Sequence, residues 1–283
     1  MLTIALFSSL LFSQQIKILD AENQKPIPYA KLILKDKDYY KNTEENGQAQ
    51  LENTEEISEI QSFGYENLKV EKYQTVYLLK PKFTEIEEVE ISKPKFKKSF
   101  TLGSIKKSKF GFFASKKTWN LVDLFKGYFF NEKLYIKKIR IPTEVPKQIK
   151  EATFNLIFYE NENGEPGTER IKNIVVTCKS GKNITEIDFS KNPIAFPKEG
   201  FFIGFEWIVN EQNSYTYKTN FIHSDGKKEK NVTQHATAPK FKGVESDSEN
   251  IKSFINNKWA DMFNKKVINN SNYSLSIELE LTN

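Results

Sequence analysis

Strict alternation of apolar and polar side chains is the feature that most limits what this chain can become. In NYSLSIELEL, Tyr273, Leu275, Ile277, Leu279 and Leu281 recur at every second position. Successive side chains of a strand point to opposite faces, so such a run gathers one apolar face only as a strand. YAKLILK repeats the pattern, with Ala30, Leu32 and Leu34 on one side and Tyr29, Lys31, Ile33 and Lys35 on the other. ATFNLIFYE places Phe154, Leu156 and Phe158 together. FFIGFEWIV sets Phe201, Ile203, Phe205 and Trp207 against Phe202, Gly204, Glu206 and Ile208, apolar on both sides, which predicts a central strand. The 23 Phe and 12 Tyr suit half-buried pleated surfaces, and 283 residues provide for two cores. The expected class is all-β.

Turn formers and charge divide the chain. Pro26 and Pro28 precede the YAKLILK run and predict a strand that starts there or lies at an edge, since proline lacks the ladder donor. Asn46-Gly47 predicts a turn, because both residues can take positive φ, and Gly64 a bend between two strands. Residues 16–91 carry 10 Lys+Arg against 16 Asp+Glu, whereas residues 92–283 carry 32 against 21. That asymmetry places a boundary near residue 91. Residues 92–117 hold nine lysines and no acid, and read as a solvated linker with a strand in it. Its Lys93, Lys95, Lys97, Lys98, Lys106, Lys107 and Lys109 form a basic patch that could meet anionic polysaccharide or lipid headgroups. Residues 1–13, MLTIALFSSLLFS, are too short to span a bilayer as a helix and read as a signal peptide with Ser13 at its end. That expectation puts the protein outside the cytoplasm: periplasm, outer-membrane surface or medium. No later segment has the length of a membrane helix, and no motif for nucleic acid is present.

Residues 16–91 resemble the carboxypeptidase-like regulatory domain carried by secreted Bacteroidetes proteins, including the N-terminal extensions of TonB-dependent outer-membrane receptors. The resemblance rests on Pro26 to Ala30, Thr43 to Gly47, Phe63 to Tyr65 and Glu87 to Ile91. It implies a seven-stranded, transthyretin-like Greek-key sandwich that accompanies catalytic domains without being one. A zinc carboxypeptidase needs two His and a Glu on the metal. Here the two His are His223 and His235, followed by SDG and ATA. Residues 118–283 read as a larger β-domain. They resemble jelly-roll domains that follow this regulatory domain, through Phe154 to Gly167, Ile187 to Lys191, Phe201 to Ile208 and Trp259. ENIKSFINNKWADMF fits an amphipathic helix or a hairpin turning at Asn256-Asn257, and the resemblance favours the hairpin. No activity follows from it.

Several residues merit weighing for chemistry. Glu186 and Asp188 share a strand face as in jelly-roll glycoside hydrolases, but Ser190 and Lys191 follow where a third acid would stand, and a retaining hydrolase needs two carboxyls about 5–5.5 Å apart. Glu206 is an acid in an otherwise apolar strand, expected to pair with a Lys or Tyr or to contact a ligand beside Trp207. Trp119, Trp207 and Trp259 could stack on sugar rings or fill a core. Asp225-Gly226 offers too few oxygens for Ca²⁺. Cys178, the single cysteine, follows NIVVT and reads as a buried, inert thiol. No cofactor is expected. The sequence therefore predicts a non-catalytic envelope protein that binds a glycan or an outer-membrane protein, with Trp119, Glu206, Trp207 and Trp259 as ligand contacts. The alternatives are a structural or assembly component of the outer membrane and, third, a glycoside hydrolase.

Overall fold

A computed structural model describes residues 14–82, 97–106, 110–115, 119–127, 132–222, 226–246, 251–255, 258–262 and 272–283. Residues 1–13, read above as a signal peptide, Glu87 to Ile91, His223, Asp225 and Lys93, Lys95, Lys107 and Lys109 lie outside the described residues. The chain is all-β and divides into two compact units, Met1–Thr84 and Glu85–Asn283.

The smaller unit packs two sheets. β1 (Gln14–Asp20), β4 (Gln48–Leu51) and β7 (Val76–Leu79) make one, in the order β4-β1-β7. β2 (Lys31–Leu34), β3 (Tyr40–Asn42), β5 (Ile57–Gln61) and β6 (Leu68–Lys69) make the other, in the order β3-β2-β5-β6. Alternation decides what faces inward: Ile16 and Ile18, Ala30, Leu32 and Leu34, and Tyr77 and Leu79 are buried in one cluster. Each large aliphatic removed from water contributes roughly 1.5–3 kcal/mol. β2 starts after the prolines, as expected, but it lies inside its sheet between β3 and β5. The Asn46-Gly47 turn forms between β3 and β4, as expected. Only Gly47 has positive φ, +73°, and its N–H donates to Glu44 O at 3.0 Å. This is a turn closed by one left-handed residue, and it joins strands of different sheets. A side chain at Gly47 would press on Ile18 O at 2.8 Å. Thr43 is fully buried; its Oγ1 accepts from Ala30 N at 2.8 Å and donates to Ile27 O at 3.2 Å. Thr43 and Gly47, two of the residues on which the resemblance rests, thus serve to build the turn and to tie neighbouring segments together.

The larger unit is a sandwich of a six-stranded and a nine-stranded sheet. Its strands are β8 (Ser99–Gly103), β9 (Gly111–Ala114), β10 (Asn120–Phe125), β11 (Leu134–Val145), β12 (Glu151–Glu162), β13 (Glu165–Lys179), β14 (Gly181–Asp188) and β15 (Ile194–Phe196). They continue with β16 (Phe201–Trp207), β17 (Ser214–Ile222), β18 (Lys228–Ser246), β19 (Lys252–Ile255), β20 (Lys258–Asp261), β21 (Asn272–Leu275) and β22 (Glu278–Thr282). The six-stranded sheet runs β13-β12-β16-β10-β19-β20. The other runs β17-β18-β11-β22-β8, with β14 and β15 on β11 and β9 and β21 on β18. Phe154, Leu156, Phe158, Ile203, Phe205 and Trp207 meet Ile139, Ile141, Phe241, Leu279 and Leu281 in the core between them. Phe205 stacks on Phe241 at 3.8 Å.

Two details follow the sequence: β16 is central, and 252–261 is a hairpin rather than a helix. In addition, the β11–β22 register shifts between Ile136 and Lys138, and Asn163 and Gly164, both at positive φ, turn the β12–β13 hairpin. One expectation is corrected. Much of 92–117 is not linker, because β8 pairs with β22 and β9 with β18 inside the nine-stranded sheet. The lysines mask the alternation of Phe100 and Leu102 and of Phe110 and Phe112. Phe112 is buried, and Phe110 stacks on Tyr273 at 4.1 Å.

Candidate functional site

The structure separates the four expected ligand contacts onto opposite faces of the six-stranded sheet. Trp119 and Trp207 point inward and stack at 6.4 Å. Trp207 is fully buried, and its Nε1–H donates to Pro239 O at 2.7 Å. That ring closes the core. Glu206 and Trp259 point outward. Cross-strand partners share a face, so the register places Val175, Asn155, Glu206, Asn120, Phe254 and Trp259 in one row across all six strands.

This outer face is curled. Neighbouring strands lie about 4.8 Å apart, so the four steps from β12 to β20 would span roughly 19 Å in a flat sheet. Yet the Tyr159 ring is 5.1 Å from the Trp259 ring, edge to face. Trp259 also leans on Phe254 at 5.0 Å and packs on the buried cluster of Val122, Leu124, Ile157, Tyr159 and Phe202. Gly204 lies at the fold of the sheet. A Cβ there would stand 1.8 Å from Leu121 O, so only glycine lets β10 close this tightly on β16. The β19–β20 hairpin is fastened by Lys252, which pairs with Asp261 at 2.8 Å and with Glu165 at the far edge of the sheet.

Beneath the curl lies a polar network. Glu206 is 2% exposed and accepts from Arg170 Nη1 at 2.9 Å and Asn155 Nδ2 at 3.0 Å. Asn173 donates to Asn155 Oδ1 at 3.1 Å and accepts from Arg170. Burial lowers the Arg170 pKa, but the Glu206 charge outweighs it and holds the guanidinium cationic. The expected partner of Glu206 was a Lys or Tyr; the structure supplies an arginine. Arg170, Asn155, Asn173 and Tyr159 escaped the sequence reading. The signal available was the alternation of ATFNLIFYE itself, which puts Asn155 and Tyr159 on the face opposite Phe154, Leu156 and Phe158.

The residues weighed for catalysis are committed elsewhere. Glu186 accepts from Lys138 at 2.7 Å and Arg140 at 3.0 Å, and these two bonds hold its carboxyl below the usual range. Asp188 is lowered first by its bonds to Ser190. A general acid needs the opposite shift. Cys178 is buried, donates to Ala152 O at 3.3 Å, and burial pushes its thiol up to about 12. His235 is exposed on β18. Among the described residues no cluster of three His, Cys, Asp or Glu could hold a metal, and no helix is long and apolar enough to cross a membrane. Of the basic patch, Lys97, Lys98 and Lys106 are exposed, and Lys98 pairs with Glu132.

No family model matches the chain, and no curated protein matches it. Solved structures resemble it at low identity. One is a clostridial cysteine protease, Cwp84, after propeptide cleavage, with 11% identity, 65% of this chain and 40% of that chain covered, and a TM-score of 0.41. Another holds the cysteine protease and lectin-like domains of Cwp84, a surface layer associated protein of Clostridium difficile. Its values are 10% identity, 59% and 32% coverage, and a TM-score of 0.36. The chain spans two fifths or less of the length of each.

Proposed function

We infer that the chain is a non-catalytic binding protein of the bacterial cell envelope. The larger sandwich holds the ligand, a glycan in the first instance. The smaller unit, which resembles a carboxypeptidase-like regulatory domain, serves as a spacer or docking module. Its seven strands in sheets of three and four, and turns built by Thr43 and Gly47, support that assignment. The observation that carries the binding reading is the outer face of the six-stranded sheet. There a partly exposed Trp259 stands with Tyr159 and Phe254 beside a fixed row of amides and one ion pair. An indole held rigidly at the rim offers a flat apolar surface of the kind that stacks on a sugar ring at little entropic cost. The non-catalytic reading is supported by acids that are ion-paired and by a thiol that stays protonated.

The test is a glycan array probed with the intact chain. Binding to at least one envelope polysaccharide is expected, reduced tenfold or more by Trp259→Ala. Trp207→Ala is expected to cost roughly 3–5 kcal/mol of stability by leaving a core cavity. An array with no signal, together with a protein crosslinked to the chain in cells, would turn the reading to an assembly component. Release of reducing sugar from any polysaccharide would sink the non-catalytic reading.

A further inference from the structure

Asp123 is the one acid of NLVDLF, an otherwise apolar strand save for Asn120, and the outer-face site does not use it. By alternation with Leu121 and Phe125 it points to the inner side of the six-stranded sheet, and it is 5% exposed. Oδ1 accepts from Leu124 N at 2.9 Å, Oδ2 accepts from Leu275 N at 3.1 Å, and the Ser274 side chain adds a bond. Among the described residues no cation pairs with it. A buried carboxylate without a counter-charge is costly and rare, and burial pushes this one up to about 6.

The carboxylate lines a cleft of about 390 Å³ where β10 faces the ends of β8, β18 and β21. That volume lies within the roughly 300–1,000 Å³ of small-molecule sites. Leu102, Val244 and Leu275 give it an apolar wall; Ser104 and Ser274 add hydroxyls; Lys106 and Lys126 line it as donors. Lys106 and Lys126 disfavour a cationic ligand, and Asp123 and Glu245 disfavour an anionic one. The set fits a neutral molecule with one C–H face and several hydroxyls, which can donate to a carboxylate and accept from an ammonium.

We propose that this cleft is a second binding site, separate from the outer face, that takes a neutral saccharide residue with hydroxyls donated to the Asp123 carboxylate and its apolar face on Leu102 and Val244. The ligand class is that of the binding reading above, and the inference rests on that reading for the class alone. It is tested by calorimetric titration of the intact chain with a panel of neutral mono- and disaccharides. At least one sugar is expected to bind, with a tenfold or greater loss in Asp123→Asn and in Ser104→Trp, and a change under twofold in Trp259→Ala. Ser104→Trp fills the mouth from a half-buried position and keeps the variant set informative if Asp123→Asn fails to fold. Unchanged affinity in Ser104→Trp overturns the cleft, as does preferential binding of an amine or a carboxylated sugar. A panel without any binder also overturns it, while the polysaccharide array decides the outer-face reading on its own.

Discussion

Arg170 and Glu206 sit 2.9 Å apart under the curl of the six-stranded sheet, with side chains 18% and 3% exposed. Desolvation takes back much of what their attraction supplies, so the pair is weak evidence of net stability, yet removing one partner leaves a buried charge. Glu206→Ala is therefore expected to destabilise the larger unit by roughly 3–5 kcal/mol. Replacing both residues with apolar side chains of similar volume should recover most of that loss. Urea unfolding followed by tryptophan fluorescence checks it, because Trp119, Trp207 and Trp259 all belong to this unit. A single variant as stable as the parent would show that the network is dispensable. Half of this site was legible in the sequence. An acid in FFIGFEWIV announces a buried carboxylate. Its partner does not announce itself, because the β12–β13 register shifts near Tyr159 and Arg170, and strand period alone cannot carry a pairing across such a shift.

At the scale of elements, alternation located most strands, since it reads out directly which side of a strand is buried. It failed where lysines surround short apolar runs, as in β8 and β9, whose partners lie more than a hundred residues away. Curvature was not legible either. β10 and β16 approach closely at Gly204, a paired position that lacks a side chain, and a glycine in a strand signals a close approach without saying to what. Gly204→Ala would place a methyl 1.8 Å from Leu121 O, a contact with backbone that cannot move aside. The expected result is loss of the native near-ultraviolet circular dichroism of the aromatic core. Gly164→Ala is the control: nothing lies within 4 Å of its added carbon, so it meets only the strain of a φ of +95°, about 1 kcal/mol. If both variants fold with equal stability, the tight approach of β10 to β16 is not what bends the sheet.

For the whole molecule, two buried acids predict a divided response to pH. In the smaller unit, burial raises the Asp20 pKa, but main-chain bonds from Asn23 and Glu22 and the Tyr65 hydroxyl outweigh it and hold the carboxyl low. The stability it confers is present above the ordinary carboxylate range and is lost as pH falls through its depressed value. Asp123 works the other way. Its folded value of about 6 exceeds the ordinary 3.8 of an aspartate, so the native state binds the proton more tightly and stability declines as pH rises between those values. The full difference, about 3 kcal/mol, is present above pH 6. Tryptophan-detected unfolding should therefore show the larger unit gaining stability from pH 7 to pH 4.5, a gain absent in Asp123→Asn. A flat or opposite slope in the parent would refute the assignment.

The position of β22 has a consequence for the order of events during synthesis. It lies between β11 and β8, and among the described residues β8 has no other partner in its sheet. A ribosome delivers residues 278–282 some 175 positions after those of β8. Until then β8 has nothing to dock on, and β11 offers an open edge to any passing strand. Contacts this distant along the chain slow folding and prolong exposure of such edges. A nascent molecule of this kind is best kept from pairing its open edges until it is nearly whole.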